Sequence, residues 1–370
     1  MMSCNDVYWM HEALKEGRKA LPLCAPNPAV GCVLVRDGKE ISRGHTQRPG
    51  GNHAEIEAIE AALKAQRPVR GATAYVTLEP CSHQGRTPAC AKRLIAEGIG
   101  RVVYAVKDPN PLVCGKGDAM LREAGIAVLS GVCEDEAREA HAGFFSHMMR
   151  RRPWVRLKTA ASLDGRTALE NGVSQWITGS AAREDAHRYR ALSQGILTGI
   201  GTILADNPQL NVRLTGEFIN PTKYIIDPRA QTPIASAVLG GAKTVLFVSS
   251  AAPKDSVAAL KQAGAEILTM PTDQSGHFDL KRILETIDGR GVNDLLLETG
   301  ARLSGAFLQA GLVDELLVYM APALIGPGMP FANMDTKTRM DQVDRWRFVS
   351  VTPIGDDVRL ILKKKTEHEG

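Results

Sequence analysis

Apolar and polar positions along the first 150 residues repeat with two different periods. Segments with apolar residues at every third or fourth position predict helices, and short apolar runs between turn residues predict strands. The predicted helices are residues 1–17, 54–63, 88–97 and 134–149, with another near residue 120. The predicted strands are residues 30–35, 40–44, 72–78 and 101–106, with another near residue 128. This alternation predicts a layered α/β sheet with helices on both faces.

A second domain is predicted after Arg151-Arg152-Pro153. The residue before a proline favours extended backbone, so we predict domains at 1–150 and 151–370. A length of 370 residues also favours two domains, at about 100–200 residues each. The predicted strands are residues 154–161, 223–226, 244–249, 266–269, 294–297, 315–320, 348–352 and 358–362. The predicted helices are residues 181–193, 256–263, 280–287 and 302–310, so this domain is also α/β.

Composition excludes several classes of protein. The net charge of +4 is small for 370 residues and forms no basic stripe, so no nucleic-acid partner is expected. No apolar run approaches the ~20 residues that cross a bilayer, and residues 1–17 lack the apolar stretch of a signal peptide. The seven cysteines, an odd number, fit a reducing compartment. We therefore expect a cytoplasmic protein with no membrane partner.

The most informative chemistry lies in His53, Glu55, Cys81 and Cys90. Zinc deaminases carry the signature H-x-E…P-C-x-x-C, and here the second cysteine lies nine residues after the first. Catalytic zinc takes three protein ligands and leaves one position for water, whose pKa falls to about 7. His53, Cys81 and Cys90 would be the ligands. Glu55 would act as the general acid–base that takes the water proton and gives it to the departing amine.

Other interpretations of this region stay open. Free cysteine is often a small buried hydrophobe, and we expect this of Cys32. His83 is a rival ligand, a pocket residue or an exposed loop residue. A structural zinc site in a binding protein would need a fourth ligand, which only His83 could offer. A base editor of the transfer-RNA deaminase type would be a shorter, aromatic-rich chain, whereas this chain is 5% aromatic.

A strand, a glycine turn and a helix follow one another around Gly300, and free backbone N–H groups at such a helix start bind phosphate. The segment is neither a Walker loop nor a Rossmann fingerprint, because Ala306 follows Gly305 and only two glycines are present. A strand–glycine–helix turn is more often a simple connection between two elements than a cofactor site. Further candidates, each with an ordinary structural alternative, are Glu298 for sugar hydroxyls, Arg190 and Arg213 for phosphate, and Trp176 for stacking.

Both halves resemble the bifunctional riboflavin-biosynthesis deaminase–reductase family, over almost the whole chain. In the first half the resemblance rests on residues 26–33 (PNPAVGCV), 53–55 (HAE) and 77–88 (TLEPCSHQGRTP), and on the long spacing to Cys90. Ala89 stands where the family usually has a proline. In the second half it rests on residues 161–166 (ASLDGR), 174–177 (SQWI), 204–210 (LADNPQL) and 313–316 (VDEL).

The resemblance implies a cytidine-deaminase-like three-layer α/β domain followed by a dihydrofolate-reductase-like domain. It implies zinc-dependent deamination of a diaminopyrimidinone ribosyl phosphate, in which Glu55 shuttles the proton and Asn27 helps to seat the ring. It then implies that NADPH reduces the ribosyl group to ribityl, and that the enzyme is a homo-oligomer acting on a small molecule. The alternative is a zinc nucleobase deaminase whose second domain only binds a phosphorylated ligand.

The resemblance also assigns contacts in the second domain. The implied substrate contacts are Ser174, Arg190, Leu210, Arg213 and Glu298. The implied cofactor contacts are Ala160, Trp176, Thr202, Asp206, Ser249, Gly300, Ala301, Arg302, Leu303, Ser304, Gly305 and Ala306. No residue is identified as the reader of the cofactor's 2′-phosphate or as the proton donor of the reduction.

Overall fold

A computed structural model describes residues 3–21, 23–82, 89–111 and 114–364 of the chain. The chain divides into two compact units, Met1–Arg151 and Arg152–Gly370. Within the described residues, none of the helices combines the length and the apolar character needed to cross a membrane.

The first unit is built on one five-stranded sheet in the order β2-β1-β3-β4-β5. Its strands are β1 (Gly31–Arg36), β2 (Lys39–His45), β3 (Thr73–Val76), β4 (Arg101–Tyr104) and β5 (Ala127–Ser130). Its helices are α1 (Cys4–Gly17), α2 (Ala54–Lys64), α3 (Cys90–Ala96), α4 (Lys116–Glu123), α5 (Glu134–Ala140) and α6 (Ala142–Arg150). Strand β1 runs antiparallel to β2 and β3, whereas β3, β4 and β5 are parallel.

Strand β1 shows where the core of the first unit lies. Cys32, Val33, Leu34 and Val35 are all buried although successive side chains point to opposite faces, so both faces of the sheet are covered. Cys32 is a fully buried core residue, as expected. The helix predicted over 134–149 is wrong as one element. It is two helices, α5 and α6, because His141 has φ −108° and ψ 19° and interrupts the helical backbone.

The second unit is built on a nine-stranded sheet in the order β11-β10-β9-β8-β12-β6-β13-β16-β15, and β7 pairs with β14 separately. Its strands are β6 (Trp154–Ser162), β7 (Arg166–Leu169), β8 (Gly195–Gly199), β9 (Thr222–Ile226), β10 (Thr244–Ser249), β11 (Glu266–Met270), β12 (Asp294–Leu297), β13 (Glu315–Ala321), β14 (Gly328–Pro330), β15 (Trp346–Ile354) and β16 (Asp357–Lys364). Its helices are α7 (Ser180–Leu192), α8 (Ile200–Asp206), α9 (Lys254–Gln262), α10 (Leu280–Asp288) and α11 (Ala301–Gln309).

Neighbouring strands from β11 to β13 are parallel, and β16 and β15 then pair antiparallel. Successive residues of the central strands belong to different core clusters. Leu295 and Leu297 pack in one cluster and Leu296 in the other, so the sheet carries a hydrophobic core on both faces. In a parallel sheet with both faces covered, the ends of the strands remain open to ligands.

Candidate functional site

Two cysteine sulfurs and one histidine nitrogen lie close together where α2 and α3 begin. His53 is the residue before α2 and has extended backbone, with φ −76° and ψ 164°. Cys81 follows β3, and Cys90 is the first residue of α3. His53 Nδ1 lies 3.6 Å from Cys81 Sγ and 3.3 Å from Cys90 Sγ. The structure thus brings together the three residues that the sequence pattern predicts as metal ligands.

The charges around these donors favour a thiolate. A hydrogen bond from the Cys90 thiol, with further hydrogen bonds from His53 and the Cys90 backbone N–H, lowers the pKa of Cys81 to about 4 against the effect of burial. The hydrogen bond to Cys81 raises the pKa of His53. Burial, together with the nearby Cys81 charge, raises the pKa of Glu55 to about 7. Glu55 is 3% exposed in the first turn of α2, so it is shielded from bulk water.

This donor set fits zinc. Two cysteines and one histidine make a three-ligand set that leaves one coordination position open, as in catalytic zinc sites. Within the described residues, no fourth histidine, cysteine or carboxylate joins the cluster. Residues 83–88, which include His83 and the predicted start of the helix over 88–97, lie outside the described residues, so the role of His83 stays a prediction.

A cavity of about 470 Å³ opens beside the donors. His53, Cys81 and Glu55 line it together with Asn27, the residue expected to help seat a ring. Sequence reasoning missed five further polar lining residues, Thr46, Glu79, Asp108, Asn110 and His147. The side chain of Glu79 accepts backbone N–H groups from residues 108, 115 and 118, so it holds the neighbouring loop in place. Such contacts between distant segments leave no local sequence pattern.

A second polar cluster lies at the end of β12 in the other unit. Arg190 donates two hydrogen bonds to Glu298, at 2.6 and 2.9 Å, and a third to the Asn211 carbonyl at 3.1 Å. Both side chains are nearly buried, with 14% and 12% exposed. Burial opposes ionisation of Glu298, but Arg190 and the neighbouring Lys158 and His187 hold its pKa down to about 2. Glu298 is therefore a carboxylate at any physiological pH.

Three further residues surround this ion pair. His187 Nδ1 accepts the backbone N–H of Arg213 at 3.2 Å, and burial with the Arg190 and Arg213 charges lowers the His187 pKa to about 4. Burial lowers the pKa of the Lys158 amine, on β6, which lies close enough to feel both Glu298 and Arg190. Sequence reasoning missed Lys158 and His187. Lys158 stands inside a strand, where an alternating pattern gives no sign of its charged neighbours.

The other predicted substrate contacts lie in different surroundings. Leu210 is 2% exposed and its side chain packs in the hydrophobic core, so only its backbone could face a ligand. Its neighbour Asn211 is the residue that Arg190 contacts. Ser174 lies in the loop between β7 and α7 and is partly buried.

The predicted cofactor residues are spread over several elements. Thr202 and Asp206 lie in α8, Ala160 is on β6, and Ser249 ends β10. Trp176 is 69% exposed, with the Arg183 guanidinium 4.4 Å from its ring centroid. The end of β8 lies beside the start of α11, because β8 and β12 are neighbouring parallel strands and a Cβ on Gly199 would lie 3.2 Å from Leu303 and 3.8 Å from Thr299. The two segments therefore form one continuous edge at the ends of β8 and β12.

The segment from Gly300 to Ala306 serves two purposes. A Cβ on Gly305 would lie 1.9 Å from the Asn333 carbonyl oxygen, so this glycine is required by packing. Ser304 is 1% exposed and its hydroxyl donates to the Thr299 carbonyl, and Leu303 packs against the core. By contrast, a Cβ on Gly300 would meet nothing within 4 Å. The part of this segment open to a ligand is the helix start, residues 300–302.

A groove of about 1130 Å³ lies beside this helix start. Arg302 and Ser249, both predicted cofactor contacts, line it together with residues of the loop after β9. Burial is moderate at Ser249, whose hydroxyl accepts the Ala251 N–H at 3.0 Å. The groove and the open helix start are large enough and polar enough to fit an extended phosphorylated cofactor.

Comparison with known proteins gives two family matches. The profile of the "Cytidine and deoxycytidylate deaminase zinc-binding region" matches residues 3–106. The profile "RibD C-terminal domain" matches residues 153–360. The two matched regions do not overlap and belong to different families, which agrees with two separate chemistries in one chain.

Full-length relatives agree with these matches. The chain is 39% identical to the riboflavin biosynthesis protein RibD of Bacillus amyloliquefaciens, over 99% of this chain and 98% of that protein. It is 38% identical to RibD of Escherichia coli K12, over 97% and 99% of the two chains. Solved structures show the same likeness. Acinetobacter baumannii RibD superposes with a TM-score of 0.88 at 40% identity, covering 98% of this chain and 99% of that one.

A second solved structure is that of an enzyme named for both reactions. The diaminohydroxyphosphoribosylaminopyrimidine deaminase/5-amino-6-(5-phosphoribosylamino)uracil reductase of Thermotoga maritima superposes with a TM-score of 0.86 at 32% identity, over 98% of this chain and 99% of that one.

Proposed function

The chain belongs to the RibD family of riboflavin-biosynthesis proteins, and from this premise we propose which of its residues carry the two reactions. It is a bifunctional enzyme, a zinc-dependent deaminase in its first half and a reductase in its second. The predicted fold class is confirmed, with a cytidine-deaminase-like α/β domain before the reductase domain. The family's cofactors are zinc and NADPH, as expected from the sequence.

We propose that the substrate of the first reaction is 2,5-diamino-6-ribosylamino-4(3H)-pyrimidinone 5′-phosphate. His53, Cys81 and Cys90 would hold zinc, which when bound activates water for attack at neutral pH. Glu55 accepts the proton of the attacking water and returns it to the departing amine, which leaves as ammonia. Burial of the Glu55 side chain raises its pKa and keeps the carboxyl out of bulk water, as a proton-transfer group requires. Asn27, in the same cavity, would orient the ring.

We propose that the Arg190–Glu298 pair forms the floor of the second site. Arg190 and Arg213 supply positive charge for the substrate phosphate, and the ionised Glu298 accepts hydrogen bonds from sugar hydroxyls. NADPH, when bound along the 300–302 helix start and the groove, supplies the hydride that reduces the ribosyl group to ribityl. Lys158, beside Glu298, is the group placed to give the accompanying proton.

The proposal extends to compartment and assembly. No disulfide joins the cysteines, all seven of which lie within the described part of the chain, and this supports a reducing cytoplasm. Family membership supports a homo-oligomer, which light scattering on the purified enzyme would measure.

The observation that carries the proposed function is the convergence of His53, Cys81, Cys90 and Glu55 on one cavity. To test it, the purified enzyme is incubated with the diaminopyrimidinone ribosyl phosphate, with and without NADPH, while ammonia and NADPH are followed together. Ammonia without NADPH, and NADPH oxidation only after deamination, is the expected result. Ammonia release without any NADPH oxidation would indicate that the second domain only binds a phosphorylated ligand. Zinc-loaded enzyme that releases no ammonia would contradict the deaminase assignment.

A further inference from the structure

The groove beside Arg302 has an unusual balance of charge. Its described lining residues include three that can carry positive charge, Arg229, His277 and Arg302, and no aspartate or glutamate. Arg229 and Arg302 are both exposed. An acid-free groove with two arginines attracts anions, because nothing within it neutralises their charge.

The two arginines differ from two other arginines of this unit that pair with carboxylates. Arg190 pairs with Glu298, and Arg156 pairs with Glu315. Among residues that the structure describes, neither Arg229 nor Arg302 has a carboxylate within salt-bridge distance. A guanidinium without a protein partner keeps its fork of N–H donors available for a phosphate.

The loop that carries Arg229 is held rigidly. Asp227, fully buried at the end of β9, accepts the backbone N–H groups of Gln231 and Thr232 at 3.0 and 2.8 Å. It also accepts the Thr232 hydroxyl at 2.7 Å. Three hydrogen bonds to one buried carboxylate fix residues 227–232, so Arg229 is presented from a preorganised turn rather than from a loose loop.

The position of the groove indicates which phosphate it could hold. Strands β9 and β10 are parallel neighbours, and the groove lies beyond their carboxyl ends, where ligands of open α/β sheets bind. Arg302 links the groove to the open helix start at Gly300. A cofactor whose pyrophosphate lies at that helix start would extend its adenosine ribose into the groove. In NADPH, but not in NADH, this ribose carries an additional phosphate monoester.

We propose that Arg229, assisted by Arg302, binds the 2′-phosphate of the cofactor and so selects NADPH over NADH. The proposal rests on the proposed placement of the cofactor at residues 300–302. It identifies a selecting residue that the sequence pattern alone does not reveal, since no short motif marks a lone arginine after a strand.

The test measures binding to the full-length enzyme. Dissociation constants of NADPH and NADH are determined by nicotinamide fluorescence and calorimetry for the wild type, for Arg229→Gln and for a control, Arg345→Gln. Arg345 is an exposed arginine of the same unit outside the groove. In Arg229→Gln the affinity for NADPH should fall about tenfold or more, while the affinity for NADH changes less than about twofold. The control should bind both as the wild type does.

The fragments 2′,5′-ADP and 5′-AMP give a second readout without the nicotinamide. Arg229→Gln should weaken binding of the first and spare the second. Equal losses for NADPH and NADH, or an unchanged NADPH affinity, would overturn the role of Arg229 while leaving the reductase assignment standing. A wild-type enzyme that binds neither dinucleotide would overturn that assignment as well.

Discussion

At the scale of single residues, burial decides what each ionisable group can do. Glu55 and Glu298 are both shielded carboxylates, yet the pKa of Glu55 rises to about 7 and that of Glu298 falls to about 2. Burial, reinforced by the Cys81 charge, controls the first, whereas Arg190 overcomes burial at the second. The first can therefore exchange protons near neutral pH, and the second serves as a fixed negative charge.

Lys158 gives a prediction for the reduction. Replacing it by methionine should lower kcat for reduction by about 100-fold or more, because a positioned proton donor contributes on the order of 10²–10⁴. Burial lowers the pKa of Lys158 from its ordinary value of 10.5. Wild-type kcat should therefore fall on the alkaline side at a pH below 10.5, as the donor loses its proton. The measurement is a pH profile of NADPH oxidation with the deaminated substrate.

The control for Lys158 is its arginine variant, which keeps the charge but cannot lose the proton in this range. Lys158→Arg should retain the KM of the wild type better than Lys158→Met does, and neither variant should alter ammonia release. An alkaline limb that survives unchanged in Lys158→Met would show that another group provides the proton.

His141 gives a prediction for stability. It is 3% exposed, its Nε2 lies 3.2 Å from the Thr77 hydroxyl, and burial lowers its pKa to about 4. The unfolded chain, with a histidine pKa near 6.5, binds the proton first as the pH falls. The contribution of buried, neutral His141 to the free energy of unfolding is therefore complete above about pH 6.5. It is lost progressively down to about pH 4, by roughly 3 kcal/mol.

Hydrogen-exchange protection of β1 and β3, corrected for intrinsic rates, measures this effect at pH 7 and pH 5. His141→Gln, which keeps a polar group near the Nε2 position, should lose less protection on acidification than the wild type. His11→Gln serves as the control, because His11 is an exposed histidine of the same unit with 55% of its side chain accessible. If His141→Gln and the wild type respond alike to acid, burial of His141 is not the cause.

At the scale of elements, the two glycines at the start of and within α11 have different roles, one in binding and the other in packing. Gly305 contacts the backbone of Asn333 too closely for any side chain, whereas Gly300 faces open space and has no positive φ. One glycine therefore fixes the helix to its neighbour, and the other leaves backbone N–H groups accessible to a ligand.

Alanine substitutions should distinguish these roles. Gly305→Ala should destabilise the second unit by about 1–3 kcal/mol or more, since a methyl group must displace the Asn333 backbone. Gly300→Ala should leave the thermal melting temperature nearly unchanged. Differential scanning calorimetry of both variants measures the difference. Equal melting temperatures would mean that the contact at Gly305 relaxes at no cost.

Element prediction from sequence found most strands of the two large sheets but missed β7, β8, β14 and α8. Strand β8 was missed because glycines occupy both ends of Gly195–Gly199. The structure explains the first of them, since a Cβ on Gly195 would lie 2.9 Å from Leu295 and 3.0 Å from Tyr224. Close packing between neighbouring strands selects glycine here, and this reason is invisible without the partner strands. Strands β7 and β14, which pair with each other outside the two large sheets, and helix α8 were missed as well.

At the scale of the whole molecule, the chain combines two chemistries whose sequence signals differ in strength. The proposed metal ligands and Glu55 carry a local sequence signal, because His53 and Glu55 lie two residues apart and Cys90 is the first residue of a helix. The proposed reductase site combines residues of β6 and α7 with the residue after β12, so Lys158, Arg190 and Glu298 come together only through tertiary contacts. The residue types suggested Arg190, Arg213 and Glu298 as candidates and the family resemblance supported them, whereas neither pointed to Lys158.

The most direct test of two separate active sites in one chain is a paired assay of Glu55→Gln. Zinc content should remain at the wild-type level, ammonia release should fall by about 10²–10⁴, and NADPH oxidation with the deaminated substrate should be unchanged. Ammonia release at the wild-type rate would remove Glu55 from the mechanism. Loss of NADPH oxidation with the deaminated substrate would contradict the assignment of the two reactions to independent sites.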